Sequence, residues 1–290
     1  MDHVDIAIIG GGPAGLSAAI NARVKNKSIC LFSTDYRESG LYRAELLNNV
    51  LGTPPMSGKE YLTLCLEQAK SHGVEITVGR VLSVMKSGGT FMIAKGSDLY
   101  SARAVILASG IVQEKTFPGE AALLGRGVSY CATCDGMLYR KKAVAVVIES
   151  REGVEEANYL SEIGCIVTAV ANRQDLTGLS EEIPVIRGKK IAVLGETVVE
   201  ALEVEGVPIP CQAVFILRNT VAMSSLMPNL ELADGHIRVD RNMKTNIPGV
   251  WAAGDCTGRP YQVSKATGEG LIAALSAASY LEKQNEGERT

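Results

Sequence analysis

Residues 4–33 read strand, glycine turn, helix, strand, and the same pattern returns 138 residues later. This repeat constrains the chain more than any other feature. VDIAIIG (4–10) is a buried apolar strand, GLSAAINARVKN (15–26) has apolar residues at helical spacing, and SICLF (28–32) is a second strand. In the second copy AVAVV (143–147) is the strand, GVEEANYLSEIG (153–164) the helix and CIVTAV (165–170) the next strand. Ala7-Ile8-Ile9 falls on Ala145-Val146-Val147, and Gly15 on Gly153. Two βαβ units follow, each the core of a parallel sheet with helices packed on it. With 290 residues, the chain has room for two such cores.

The remaining segments order these units. LTLCLEQAKSHG (62–73) reads as a helix, residues 74–107 as short strands, and AVILASG (104–110) as a strand returning to the first sheet. KKIAVLG (189–195), ALEVEG (201–206) and AVFIL (213–217) read as strands of a small second sheet. VWAAGD (250–255) is a strand ending in an acid, and GEGLIAALSAASYLEKQ (268–284) is a terminal helix. Loop-like sequence places joints near 111–118 and 230–245. The expectation is an α/β protein of two dinucleotide-binding, Rossmann-like, three-layer domains, the second inserted into the first. The first domain is discontinuous, 1–113 and 235–290, and the second is 114–234.

The first turn has the chemistry of a phosphate cradle. Gly10-Gly11-Gly12-Pro13-Ala14-Gly15 fits G-x-G-x-x-G between a strand and a helix. Gly10 allows the tight turn, Gly12 lets a pyrophosphate approach the backbone, and Gly15 lets helix and strand pack closely. The phosphates then meet the unpaired N–H groups of the helix N-terminus. An acid is expected about 18 residues on, to hold ribose hydroxyls; Ser33 stands there, able to hydrogen-bond but uncharged.

Composition narrows the function classes. A formal net charge of −3 offers no support for nucleic acid or an anionic membrane as partner. No apolar run is long enough to span a bilayer, and the N-terminus lacks a secretory signal pattern. Of seven cysteines only Cys131 and Cys134 share a motif, which reads as a cytoplasmic protein with one redox or metal pair. Zinc would need two further ligands, yet there is no second Cys-x-x-Cys, and His3, His72 and His236 are all remote in sequence. No metal site is expected. A Cys-x-x-Cys at a helix start favours thiolate, the form that attacks a disulfide.

Together these features resemble the low-molecular-weight thioredoxin reductase family. The resemblance rests on the first glycine turn, on CATCDG (131–136) just before the second βαβ unit, and on TNIPGVWAAGDCTGRPYQVSKATGEG (245–270). The last is similar to the second FAD-binding signature of flavoprotein reductases. The resemblance implies FAD as cofactor, held by Gly10, Gly12, Pro13, Ala14, Gly15, Ser33, Leu41, Asn49, Ser109, Gly110, Gly254, Asp255, Gln262 and Val263. It implies that Cys134 faces the flavin, that Cys131 attacks thioredoxin, and that Asp135 serves as acid/base, although Asp135 as a mere helix cap stays open. A homodimer is also a family expectation.

One departure is large. The family's inserted domain binds NADPH with G-G-G-D-S-A-V-E-E-A; here those positions read I-E-S-R-E-G-V-E-E-A (148–157). Ile148 obstructs the tight turn. Glu149 and Glu152 bring carboxylates towards a pyrophosphate, which Arg151 offsets only in part. The family's basic H-R-R is Ala171-Asn172-Arg173. The pattern resembles the ferredoxin-dependent flavin thioredoxin reductases, a subgroup described by that absence. Ferredoxin is therefore the expected donor and thioredoxin the acceptor. Arg140-Lys141-Lys142 and Arg187, Lys189 and Lys190 are candidate docking charges for an acidic ferredoxin. A dithiol oxidase using oxygen, an NADPH reductase with an atypical site, and a non-catalytic flavin sensor remain as alternatives.

Overall fold

The computed structural model describes residues 3–110, 116–171, 175–218 and 226–287. The chain divides into two compact units, one formed by Met1–Val112 with Ala222–Thr290, the other by Gln113–Val221. The expected joint at 111–118 includes residues 111–115, which lie outside the described residues, as do Asn172 and Arg173.

The first unit is built on a sheet whose parallel part runs β3 (Ile76–Val78), β2 (Ile29–Ser33), β1 (His3–Ile9), β6 (Asp98–Leu107) and β15 (Val250–Ala252). β6 is long enough to do two jobs. Its second half pairs with β1 and β15, while its first half continues an antiparallel meander with β5 (Thr90–Lys95) and β4 (Val81–Ser87). Helix α1 (Pro13–Val24) follows β1, and α2 (Gly58–Ser71) begins at Ser57, whose side chain and that of Glu60 form a reciprocal capping box. The terminal helix, labelled α6 here, spans Val263–Gly287. It packs on α1 through small side chains: Ala14, Ala18, Ala266, Ala273, Ala274 and Ala277 share one core with Ile6, Ile8, Ile106 and Trp251.

The second unit has an all-parallel sheet in the order β10 (Val185–Arg187), β9 (Ile166–Ala171), β8 (Ala143–Ile148), β14 (Ala213–Leu217), β7 (Val128–Ser129). Burial on both faces explains why AVAVVI and AVFIL are continuous apolar runs. A separate antiparallel sheet holds β11 (Ile191–Leu194), β12 (Ala201–Val204) and β13 (Val207–Pro210). AVFIL is therefore not in the small sheet with KKIAVLG and ALEVEG. It pairs with β8 in the nucleotide-type sheet, because its five residues are all buried and need cover on both faces. The second unit also holds the helices α3 (Glu120–Leu123), α4 (Ala132–Asp135) and α5 (Glu152–Glu162). The two units are thus two Rossmann-like sheets, the second inserted in the sequence of the first.

Candidate active site

At the first glycine turn, Gly10 has φ +115° and lies against the Ala108 carbonyl and the Ser109 amide, so the end of β6 closes one side of the turn. A Cβ on Gly15 would run into the Gly10 carbonyl. Both glycines are required by the chain itself. Gly12 is different. Its backbone is extended (φ −79°), it is the N-cap of α1 with no side-chain cap, and a Cβ there would meet no protein atom within 4 Å. Nothing in the fold asks for glycine at that position. Open space in front of an uncapped helix N-terminus, with Pro13 at its first position, fits the pyrophosphate of a dinucleotide.

Of the other expected cofactor residues of this unit, Ser33, Ser109 and Gly254 lie against that turn, and Asn49 meets Gln262. Ser33 ends β2 beside Gly11 and donates its hydroxyl to the Thr34 carbonyl at 2.9 Å, which leaves its lone pairs to accept from a ribose hydroxyl. Asp35, two residues on, is engaged by Arg37 at 2.8 Å. Ser109 and Gly110 continue from β6, Gly110 with φ +74°. Asn49 donates to the Gln262 side chain at 2.9 Å, so these two sequence-distant candidates meet. The Leu41 carbonyl lies against Gly58, at the start of α2. Gly254 packs on Ala14, and Asp255 opens a 3-10 turn that leads to α6, whose first residue is Val263. Burial pushes the Asp255 carboxyl up; Lys265 opposes that and Glu269 adds to it. Lys265 and Glu269 were not expected from the motif. Lys265 donates to the Gly254 and Gly258 carbonyls, both at 2.8 Å, and Glu269 accepts from the Gly254 amide at 2.8 Å. The pair, itself 3.2 Å apart, holds the Asp255 turn. Its one sequence signal is the i,i+4 spacing of opposite charges.

In the second unit Cys131 and Cys134 form a disulfide with Cα atoms 5.4 Å apart. Cys131 is the N-cap of α4 and accepts the Cys134 amide at 3.1 Å. Cys131 is 7% exposed, whereas Cys134 is exposed. Asp135 closes the helix, and its Oδ2 accepts from the Ser129 hydroxyl at 2.7 Å; the same Ser129 oxygen accepts the Cys131 amide at 3.1 Å. One buried serine thus fixes both the Cys131 backbone and the Asp135 carboxylate. Four of the other five cysteines are poor competitors. Burial pushes the Cys211 thiol up to about 11 and the Cys256 thiol up to about 12, and raises Cys165 and Cys65 as well. Among the described residues no group of three or more His, Cys, Asp or Glu could hold a metal ion. No helix there is long and apolar enough to cross a membrane.

The second βαβ turn is filled by the protein. Ile148 does not bend the chain; it is the last residue of β8 and is completely buried. Ser150 is also buried and its hydroxyl oxygen accepts the Gly153 amide at 2.9 Å, capping α5 from within. Glu149 is turned to Arg218, which donates to it at 2.7 Å. Arg218 also donates twice to Glu120, at 2.5 and 2.8 Å, and stacks over Phe117 at 4.8 Å. Glu120 has no exposed surface and accepts further from the Phe117 amide and the Tyr130 hydroxyl. Arg151 is exposed, and the Glu152 side chain lies outside the described residues. The expected repulsion of phosphate thus takes another form: Glu149 is neutralised internally, and the helix amide that would meet phosphate is spent on Ser150.

Two outcomes are expected from these contacts. Gly12→Val should leave the urea midpoint of the flavin-free protein unchanged and weaken flavin binding more than about tenfold, the loss of a close anion contact of about 1.4 kcal/mol or more; titration with the dinucleotide, alongside the urea curve, measures both. Burial would raise the Glu120 carboxyl, but Arg218, the Phe117 amide and Tyr130 hold it below its ordinary 4.5. A depressed carboxyl stabilises the fold above that ordinary value, and the contribution is lost as pH falls through the folded one. Glu120→Gln should therefore cost about 3 kcal/mol or more at pH 7. Its deficit against the parent should shrink as pH drops below 4.5, followed by urea unfolding at each pH.

Comparison with known proteins agrees with this geometry. The family model described as pyridine nucleotide-disulphide oxidoreductase matches residues 4–270. A thioredoxin reductase from Treponema pallidum is 35% identical over 96% of this chain and 97% of its own length. A ferredoxin-flavin thioredoxin reductase from Clostridium acetobutylicum has 46% identity and a TM-score of 0.90, covering 98% of this chain and 99% of its own. A second structure of that description, from the same organism, has 40% identity and a TM-score of 0.91, covering 98% and 99%. Family membership implies a flavin. The chain therefore belongs to the pyridine nucleotide-disulphide oxidoreductases and, within them, is a low-molecular-weight thioredoxin reductase with Cys131–Cys134 as its redox disulfide.

Proposed function

We propose that this thioredoxin reductase takes its electrons from reduced ferredoxin rather than from NADPH, through FAD, and passes them by way of Cys131–Cys134 to thioredoxin. The observation that carries the reading is the closed second turn: Ile148, the Glu120–Arg218–Glu149 set and the Ser150 cap stand where a nucleotide pyrophosphate would need open backbone. The similarity to two ferredoxin-flavin thioredoxin reductases supports it independently.

FAD, when bound, supplies the change of stoichiometry, since it accepts electrons singly and returns a pair. In the first unit the Gly12 turn, the Ser33 lone pairs and the Asp255 turn would hold it. Breaking the Cys131–Cys134 bond takes two electrons and, to give two thiols, two protons. Asp135, held by Ser129, is the carboxyl placed to move one of them. The Cys131 thiolate attacks one sulfur of the thioredoxin disulfide and expels the other as thiolate. Cys134 then attacks Cys131 in the mixed disulfide, releases dithiol thioredoxin and restores the starting bond. Ferredoxin near about −400 mV and thioredoxin near about −270 mV make the direction downhill.

Exposed side chains offer docking surfaces. Met137 and Leu138, directly after the redox helix, are 57% and 68% exposed and suit an apolar patch around a partner's disulfide. Arg140, Lys141 and Lys142, and Arg187, Lys189 and Lys190, are exposed and suit an acidic ferredoxin. The outer face of α6, with Leu271, Ile272 and Leu275 exposed, suits a homodimer, which sedimentation of the holoenzyme checks: a single-chain mass at micromolar concentration removes it.

The test of the donor is an anaerobic flavin spectrum with oxidised thioredoxin present. Bleaching by reduced ferredoxin, with thiols appearing on thioredoxin and no bleaching by NADPH or NADH, is the expected result. Saturable bleaching by NADPH would return the chain to the nucleotide-dependent reductases. Peroxide formed from a small dithiol and oxygen, with no response to ferredoxin, would make it a dithiol oxidase.

A further inference from the structure

A Cys-x-x-Cys pair at the start of a helix tends towards the wrong chemistry for a reductase. First-turn amides and the helix dipole stabilise thiolate, and stabilising the reduced form makes the disulfide a stronger oxidant. An enzyme that must donate electrons to thioredoxin needs a pair whose reduced form is less comfortable. In this chain one of the amides is diverted. Ala132, the first residue of α4 and completely buried, donates its N–H to Oε2 of Glu156 at 2.9 Å. Glu156 lies on α5, 24 residues further along. The amide that does reach sulfur is that of Cys134, 3.1 Å from Cys131 Sγ. A carboxylate is therefore anchored to the residue next to Cys131. Two other carboxylates near the motif are committed: Asp135 to Ser129, and Glu120, which also accepts from Tyr130, to Arg218.

We propose that Glu156 sets the reduction potential of the Cys131–Cys134 pair: its carboxylate, fixed on the Ala132 amide, disfavours thiolate in the reduced pair and keeps the dithiol strongly reducing. Glu156 touches no reactant and is a positioning residue. The proposal rests on the Cys pair as redox centre and not on ferredoxin as donor.

The experiment is Glu156→Gln in the holoenzyme, since glutamine keeps an oxygen for the Ala132 amide and removes only the charge. The oxidised fraction of the pair is measured after anaerobic equilibration with dithiothreitol buffers of fixed ratio, by alkylation and mass. The reduced enzyme is also alkylated with iodoacetamide across pH. The equilibrium should shift about tenfold towards dithiol, which is about 30 mV for two electrons, and the alkylation profile should move to lower pH. Glu155→Gln, an exposed charge on the same helix, should change neither. Unchanged potential and profile in Glu156→Gln would overturn the proposal. So would a shift in Glu156→Ala alone, which would reduce the contact to a neutral cap, or an equal shift in Glu155→Gln, which would reduce it to net helix charge. Because no ferredoxin enters these measurements, their failure leaves the donor question separate.

Discussion

Amide N–H groups at the start of a helix must find partners, and this protein solves that problem three ways. At α1 the chain leaves space before an uncapped turn, suited to an external anion. At α5, the equivalent helix of the second unit, Ser150 supplies the acceptor from within and Arg218 neutralises the neighbouring Glu149. At α4 the acceptors are a cysteine sulfur and the Glu156 carboxylate. The open turn, the internally satisfied turn and the redox helix are variations on one electrostatic requirement.

The partly exposed Arg218 shows how the turn after β8 is held by the protein's own charges. A guanidinium and two carboxylates are costly to bury unless every hydrogen bond is made. Here Glu120 accepts from Arg218, from a backbone amide and from a tyrosine, and Arg218 adds a stacking contact with Phe117. The interaction links the strand end after β14, the turn after β8 and the segment leading into the redox motif. The turn after β8 is thereby completed by the protein's own side chains.

Much of this was legible in the sequence because it is local. Strand–turn–helix repeats, the Cys-x-x-Cys and the missing glycines each occupy a few consecutive residues. What was missed is long-range. Glu120 and Arg218 are 98 residues apart, and neither belongs to a motif. AVFIL was placed in the wrong sheet because an apolar run declares burial but not its neighbours. Helix α2 starts at Gly58, four residues before its apolar spacing is evident, because the Ser57–Glu60 capping box and not hydrophobicity sets that end. Helix α6 starts at Val263 for a related reason: its first turns are occupied by Lys265 and Glu269, which serve the Asp255 turn rather than the core.

The burial of Cys165, Cys211 and Cys256 has a consequence for fidelity. An enzyme that passes electrons through sulfur is exposed to its own cysteines as decoys, since any ionised thiol nearby can enter exchange. Thiols pushed up to about 11 and about 12 at Cys211 and Cys256 are almost wholly protonated at neutral pH, and hardly nucleophilic. Burial thus withdraws these thiols from exchange and leaves the Cys131–Cys134 pair as the channel for electrons.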